Sequence, residues 1–182
     1  AYCWGDNSQG QYGNAATAEV LVPSDTAVVK LTDKYATDIS GRDHTCIITK
    51  QISDPTLSYV YCWGDNNQMQ SGRSTNCTTA SNADTPNPKP ALGCAIRWNN
   101  STNDVLATNV QINGVTNGST CGILTQEGSI AWCIGNADWG ALGNGDVNGT
   151  DLPRASRVRT TSGEVVTGMT KVAENNGRGC GR

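Results

Sequence analysis

An all-β repeat fold built from short antiparallel strands is what this sequence predicts, on three observations. Three stretches are variants of one phrase: YCWGDNSQGQYGN from Tyr2, YCWGDNNQMQSGR from Tyr61 and WCIGNADWGALGN from Trp132. Their anchoring cysteines Cys3, Cys62 and Cys133 recur at intervals of roughly 60 to 70 residues, the mark of units that bury their apolar faces only against neighbours. The composition is that of many turns joining short strands: 21 Gly, 5% aromatic residues, no Phe and 16% charged residues. No helical periodicity of useful length runs through the chain. We therefore read residues 1–182 as one repeat domain, with motifs beginning near residues 2, 61 and 132 and a loop-like insertion at 71–104.

The elements follow from a second phrase that precedes each motif. Thr37-Asp38-Ile39-Ser40-Gly41 leads into His44-Thr45-Cys46-Ile47-Ile48-Thr49. Val110-Gln111-Ile112-Asn113-Gly114 leads into Ser119-Thr120-Cys121-Gly122-Ile123-Leu124. Lys171-Val172-Ala173-Glu174 leads into Gly179-Cys180. Each is a short run with apolar alternation, a Gly or Asn turn and a second apolar run, the pattern of antiparallel strands. The clearest hairpin joins Ile123-Leu124 to Ile130-Ala131-Trp132 through a polar turn containing Gly128. Pro23, Pro90 and Pro153 fall in connectors or at strand ends, where a missing N–H is harmless.

Charge and hydropathy exclude two partner classes. A net charge of −3 and a pI near 5.0 oppose a nucleic-acid surface, which needs clustered Lys and Arg. No apolar run approaches the roughly 18 residues of a membrane helix. The chain opens at Ala1, inside a repeat motif and without an initiator Met, and reads as a processed chain or an excerpt of a longer one.

Together these phrases resemble the repeats of the regulator-of-chromosome-condensation family, whose blades form a β-propeller. The likeness lies in Cys3-Trp4-Gly5-Asp6-Asn7-Ser8-Gln9-Gly10-Gln11-Tyr12-Gly13-Asn14, in Gly41 with His44-Thr45-Cys46, and in the Pro23-to-Val29 connector. It covers essentially the whole chain as about three repeats. The cysteine-bearing form is similar to extracellular members, including the ectodomains of crinkly-type plant receptor kinases. On this reading Trp4, Trp63 and Trp132 form the repeat core; Met69 replaces Gly in the second copy, and in the third, where Ile134 replaces Trp, Trp132 and Trp139 are expected to restore packing. The resemblance also makes His44 a structural residue of the blade.

The repeat organises the eight cysteines, which alone would allow 105 connectivities. Cys46 and Cys62, and likewise Cys121 and Cys133, sit on hairpin-joined strands, so each pair is expected to bridge facing strands within one blade. A loop of about 15 residues closed in this way contributes roughly 3 kcal/mol. Cys77 and Cys94 bracket the Thr-, Asn- and Pro-rich part of the insertion and are expected to pair. Zinc needs close spacings such as C-x₂-C, which this chain lacks. Such cysteine usage points to an extracellular or cell-surface location. Asn76, Asn99, Asn100, Asn117 and Asn148 head N-glycosylation sequons, whose placement in turn-like or inserted segments says more than their number.

The search for chemistry returns little. His44 is the sole histidine, and Asp43, its neighbour along a strand, would point to the opposite face. Asp6 and Asp65 occupy equivalent motif positions and read as turn residues. The Asn- and Asp-bearing stretch from Gly143 to Asp151 lacks the carboxylate density of a calcium loop. Arg154, Arg157 and Arg159 read as a strand edge. No cofactor, metal or catalytic residue is expected.

Three function classes remain: a structural or assembly protein outside the cell, a secreted binding module such as an enzyme inhibitor or receptor ectodomain, and the nucleotide exchange that the resemblance implies for nuclear members. The cysteines and acidic pI oppose the last. Three blades are too few for a closed propeller of four to eight, so the open edges call for a longer chain, a two-copy ring or head-to-tail addition that builds a filament. In either assembly Cys180 of one copy would lie beside Cys3 of the next and could bond to it, so that all eight cysteines are expected to be oxidised. The expected partners are thus protein chains, copies of this one or the rest of a longer one, together with covalent glycans.

Overall fold

Strand-forming runs separated by glycine turns pair here as meanders, each strand beside the next in sequence. In the computed structural model, residues 2–13, 17–23, 32–72, 95–96, 106–107, 110–116, 118–124, 128–146, 149, 151–175 and 178–182 are described. Strands β1 (Lys34–Gly41), β2 (His44–Gln51), β3 (Ser58–Gly64) and β4 (Leu106–Ala107) form one antiparallel sheet in that order. Strands β5 (Val110–Thr116), β6 (Ser119–Leu124), β7 (Ile130–Gly135) and β8 (Leu152–Arg157) form a second. Strands β9 (Val172–Asn175) and β10 (Arg178–Gly181) make a two-stranded third. Apart from one 3₁₀ turn, Asp138–Gly140, the described residues hold no helix. Among the described residues the architecture is a partial propeller: two four-stranded blades, with the two-stranded β9–β10 sheet after them and residues 2–5, paired through the Gly5–Val20 bridge, before them.

Stacking explains why apolar alternation is faint in the middle strands. Every residue of β6 and β7 is buried, as are all but the last two of β2, because neighbouring blades cover both faces of each sheet. The largest cluster joins Cys46, Ile48, Val60 and Cys62 of the first blade to Leu124, Ile130, Trp132 and Ile134 of the second. A second cluster joins Cys121, Ile123, Cys133 and Leu142 to Val172 of β9. Blade therefore docks on blade in series, with β5 packed against β1 and β9 against β5.

One backbone position repeats almost without change. Gly5, Gly64 and Gly135 adopt φ of 103°, 104° and 103°, a conformation glycine alone enters easily. A Cβ on Gly64 would lie 2.9 Å from the His44 Cα, and one on Gly135 would overlap the Gly118 carbonyl oxygen. A Cβ on Gly5 would meet nothing within 4 Å. The next turn glycine, Gly10 at φ 79° and Gly140 at 74°, is Met69 in the middle copy and still holds φ 65°, so the repeat imposes its turn on an unsuited residue.

The tryptophans divide. Trp63 and Trp132 are fully buried, as the motif predicts. Trp4 is 61% exposed and Trp139 is 92% exposed, so neither is a core residue here. Trp63 lies on a strand paired to β2, whereas residues 2–5 have no inner strand beside them among the described residues and pair only through the Gly5–Val20 bridge. Trp139 holds φ 59° in the 3₁₀ turn, which turns the indole away from the blade.

Candidate functional site, an open half-blade

The loop after each third strand is built by local side-chain hydrogen bonds. Asp6 accepts from the Ser8 N–H (3.0 Å), Asp65 from Asn67 (3.1 Å) and Asn136 from Asp138 (2.8 Å), one turn recurring three times. Those bonds also hold the Asp6 carboxyl below the usual carboxylate range. Asn7 then accepts from the Tyr12 N–H and Asn66 from that of Ser71, both at 2.9 Å. In the third copy Ala137 stands at this position, and its N–H donates to Asp151 instead (3.1 Å). The loops thus carry turn residues where a search for paired acids or a calcium loop would look.

Each loop also fastens the following blade. The Gln11 carbonyl accepts from the Thr45 hydroxyl and the Trp63 Nε1–H, each at 2.8 Å. One blade on, the Gln70 carbonyl accepts from Thr120 at 3.0 Å. The Thr120 hydroxyl has one proton, which Gln70 takes, so the 2.5 Å contact to His44 Nε2 must be a bond that the imidazole donates. His44 is fully buried, and desolvation lowers its pKa to about 3. Asp43 is exposed, with Arg42 3.7 Å away, and does not orient the ring. His44 is accordingly a neutral inter-blade donor rather than a base. Arg154 and Arg157 lie half-buried on β8, and Arg159 Nη1 donates to the Gly163 carbonyl (2.7 Å).

The cysteines fall into two sets. Cys46 bonds Cys62 and Cys121 bonds Cys133, directly opposed residues with Cα atoms 4.1 Å apart in both pairs. Cys3 and Cys180 are free thiols. Cys77 and Cys94, and all five sequon residues Asn76, Asn99, Asn100, Asn117 and Asn148, lie outside the described residues.

Around Cys3 the first half-blade leaves an open cavity of about 280 Å³, lined by Cys3, Trp4 and Tyr12 from one side and Ile39, Arg42 and Thr45 from the other. Burial raises the Cys3 thiol pKa. Tyr2 and Ile39 beside it are 55% and 50% exposed. Tyr12 holds the outer wall, its hydroxyl meeting the Gly5 carbonyl at 2.5 Å and that of Val20 at 3.0 Å. Sequence reading marked Cys3 and Trp4 but missed Tyr12, Ile39 and Thr45. Only the repeat register carries that signal, because Thr45 and Thr120 share one position and Tyr12 is met by Ser71 and Leu142 in the other copies. Among the described residues no group of three or more His, Cys, Asp or Glu side chains is placed to hold a metal ion.

No family model matches the chain, and no curated protein matches its sequence. Among solved structures it is similar to human WBSCR16, at 12% identity and a TM-score of 0.58 over 94% of this chain and 37% of that one. It is also similar to a chain in the crystal structure of Kap60 bound to yeast RCC1 (Prp20), at 17% identity and a TM-score of 0.57 over 96% of this chain and 36% of that one. The chain thus spans little more than a third of the length of either. At these identities the likeness establishes fold alone, and that fold is a partial β-propeller.

Proposed function

We propose that this chain is a non-catalytic, disulfide-fastened repeat protein that works outside the cell as a structural component and assembles with other protein chains through its open blade edges. One contrast carries the reading: two blades are covalently locked, while Cys3 and Cys180 in the strands that flank them are free thiols and Tyr2 and Trp4 beside Cys3 are exposed. Unpaired edges and an exposed Tyr2–Trp4 face are the features of a surface that adds another strand. Disulfides in both complete blades fit an oxidising compartment, and no described helix is long and apolar enough to cross a membrane. The sole histidine is engaged between blades, which supports a role without acid–base chemistry. N-linked glycans on the sequons belong to the same reading.

The decisive measurement is the mass of native material by light scattering. Species at multiples of the 19.1 kDa polypeptide, with any added carbohydrate resolved by intact-mass spectrometry, are expected. A lone 19.1 kDa species at milligram concentrations would remove the assembly reading. A second reading, a secreted binding module for another protein, is favoured by Trp139, 92% exposed on the opposite half of the chain from Trp4. Aromatics of this kind anchor interfaces, and loss of a partner's binding on Trp139→Ala would select it.

A further inference from the structure

The side-chain turns that build the loops differ in one chemical respect. In each, an Asp or Asn oxygen accepts the N–H two residues on: Asp6 from Ser8, Asp65 from Asn67, Asn136 from Asp138 and Asn144 from Asp146. Two of these side chains are carboxylates and two are amides. An amide held in this way is the better electrophile, because the donated N–H polarises its carbonyl and receives the charge that an attack places on oxygen. The backbone nitrogen of the very next residue is the nucleophile within reach, since joining it to the side-chain carbonyl carbon closes a five-membered ring.

Asn136 and Asn144 share the turn but not its surroundings. At Asn136 both ends of the ring closure are engaged: the Ala137 N–H donates to Asp151 (3.1 Å), and Asn136 Nδ2 donates to Asp138 (3.2 Å). At Asn144 only the carbonyl oxygen is held, by the Asp146 N–H at 2.9 Å. Among the described residues neither the Gly145 N–H nor Asn144 Nδ2 has a hydrogen-bond partner. Gly145 is exposed, at φ 84°, and a Cβ there would meet nothing within 4 Å, so nothing crowds its nitrogen.

We propose that Asn144-Gly145 is a self-modification site, at which the folded chain exchanges a neutral amide for a carboxylate without an enzyme. Solvent base takes the Gly145 N–H proton, and the nitrogen attacks Asn144 Cγ. The Cγ–Nδ2 bond then breaks, ammonia leaves with a proton from solvent, and a cyclic imide remains. Water opens the imide at either carbonyl, giving an aspartyl residue at position 144 or its isomer, in which the main chain runs through Cγ. One water enters and one ammonia departs; nothing is oxidised or reduced.

The product falls in a loop that already carries Asp138, Asp146 and Asp151, so each conversion adds a negative charge to an acidic stretch. The isomer also lengthens the backbone by one carbon between Gly143 and Gly145. Gly143 is the point at which this loop is fastened: its carbonyl accepts from the Arg159 N–H at 2.7 Å, and a Cβ on it would lie 3.1 Å from the Val158 side chain. A longer link beside so close a contact loosens the tie between the loop and the segment after β8. The site is thus a slow timer that marks the age of the chain and relaxes its third loop.

The test holds the full chain in warm, mildly alkaline buffer and maps its peptides by mass spectrometry at intervals, with isoaspartyl groups labelled by an isoaspartyl methyltransferase and a radioactive methyl donor. Aspartyl and isoaspartyl products are expected at Asn144, forming at least about tenfold faster than at Asn136, whose neighbouring nitrogen is engaged. The rate should rise with pH, as base frees more of the Gly145 nitrogen, and should be no slower in the folded chain than in urea. Asn144→Gln, which would need a larger ring, should lose the product. In the converted fraction the Arg159 amide should exchange with deuterium faster than in fresh protein. An intact Asn144, equal conversion at Asn136, or conversion only after unfolding would overturn the proposal, and unchanged Arg159 exchange would overturn the loosening. Because Asn144 and Asn136 are compared within the wild-type chain, misfolding of a variant cannot hide the answer.

Discussion

The first half-blade and the first complete blade share nearly the same third-strand phrase, YCWGDN from Tyr2 and from Tyr61, yet the structure treats them differently. In the complete blade the cysteine is bridged, the tryptophan is fully buried and the glycine is packed against His44. In the half-blade the cysteine is free, the tryptophan is exposed and the glycine faces open space. The same residues take opposite environments because a third strand acquires its burial from the second strand beside it, not from its own sequence. Local sequence sets the turn; the neighbour decides the core.

That comparison can be broken most sharply at the paired tryptophans. Trp63→Ala should cost about 4 kcal/mol in chemical unfolding, the usual loss for a fully buried aromatic. Trp4→Ala on the monomeric chain should stay within about 0.5 kcal/mol, as for an exposed position. Equal effects would mean that the first half-blade is covered by something within its own copy.

The bridged cysteines test the same contrast through the unfolded state. Replacing Cys46 and Cys62 together by Ser should lower stability by roughly 3 kcal/mol, given a sequence separation of 16. Cys3→Ser should leave the monomer unchanged in the same urea titration.

His44 sharpens the comparison by pH, since the first complete blade holds the chain's one histidine. Its folded pKa of about 3 lies below the unfolded value of 6.5, so the unfolded chain takes up a proton that the folded one refuses. The stabilisation is full above pH 6.5 and drains away as pH falls toward 3, at about 1.4 kcal/mol per unit once well below the unfolded value. Unfolding free energies from denaturant titrations at pH 7 and pH 5 should differ by roughly 2 kcal/mol, and His44→Gln should flatten that slope. An unchanged slope in the variant would assign the acid sensitivity elsewhere.

The smallest effect expected is a gain. Met69→Gly relieves a side chain held at φ 65° and should raise stability by up to about 1 kcal/mol, partly offset by the greater freedom of unfolded glycine. Gly10 and Gly140 already have that residue, so the substitution makes the three loops alike.

Much of this was legible in the sequence, and the reason is periodicity. Cysteines at one repeat position on hairpin-joined strands predicted both bridges, because in-register antiparallel strands bring such residues together. Glycines and Asx residues predicted the turns, since those roles are local. Burial was less legible. Trp4 and Trp139 sit in the same motifs as the buried tryptophans, and only the tertiary neighbour separates them. Thr45 and Thr120 gave no signal as joint residues, because a hydroxyl bonded to a carbonyl many residues away leaves no local pattern. Residues 71–104 read as an insertion, and nearly all of them lie outside the described residues.

The loop-to-blade fastening has a mechanical consequence. The first joint holds the Gln11 carbonyl by two side-chain donors, Thr45 and Trp63, and the second holds that of Gln70 by one, Thr120, itself tied to His44. At the third, the counterpart is Gly179, which has no side chain to offer the Ala141 carbonyl. Stiffness therefore declines along the chain from its amino-terminal to its carboxy-terminal joint. Pulled from its ends in a single-molecule force trace, the protein should shed the β9–β10 hairpin first and at the lowest load, leaving the two bridged blades to bear tension together.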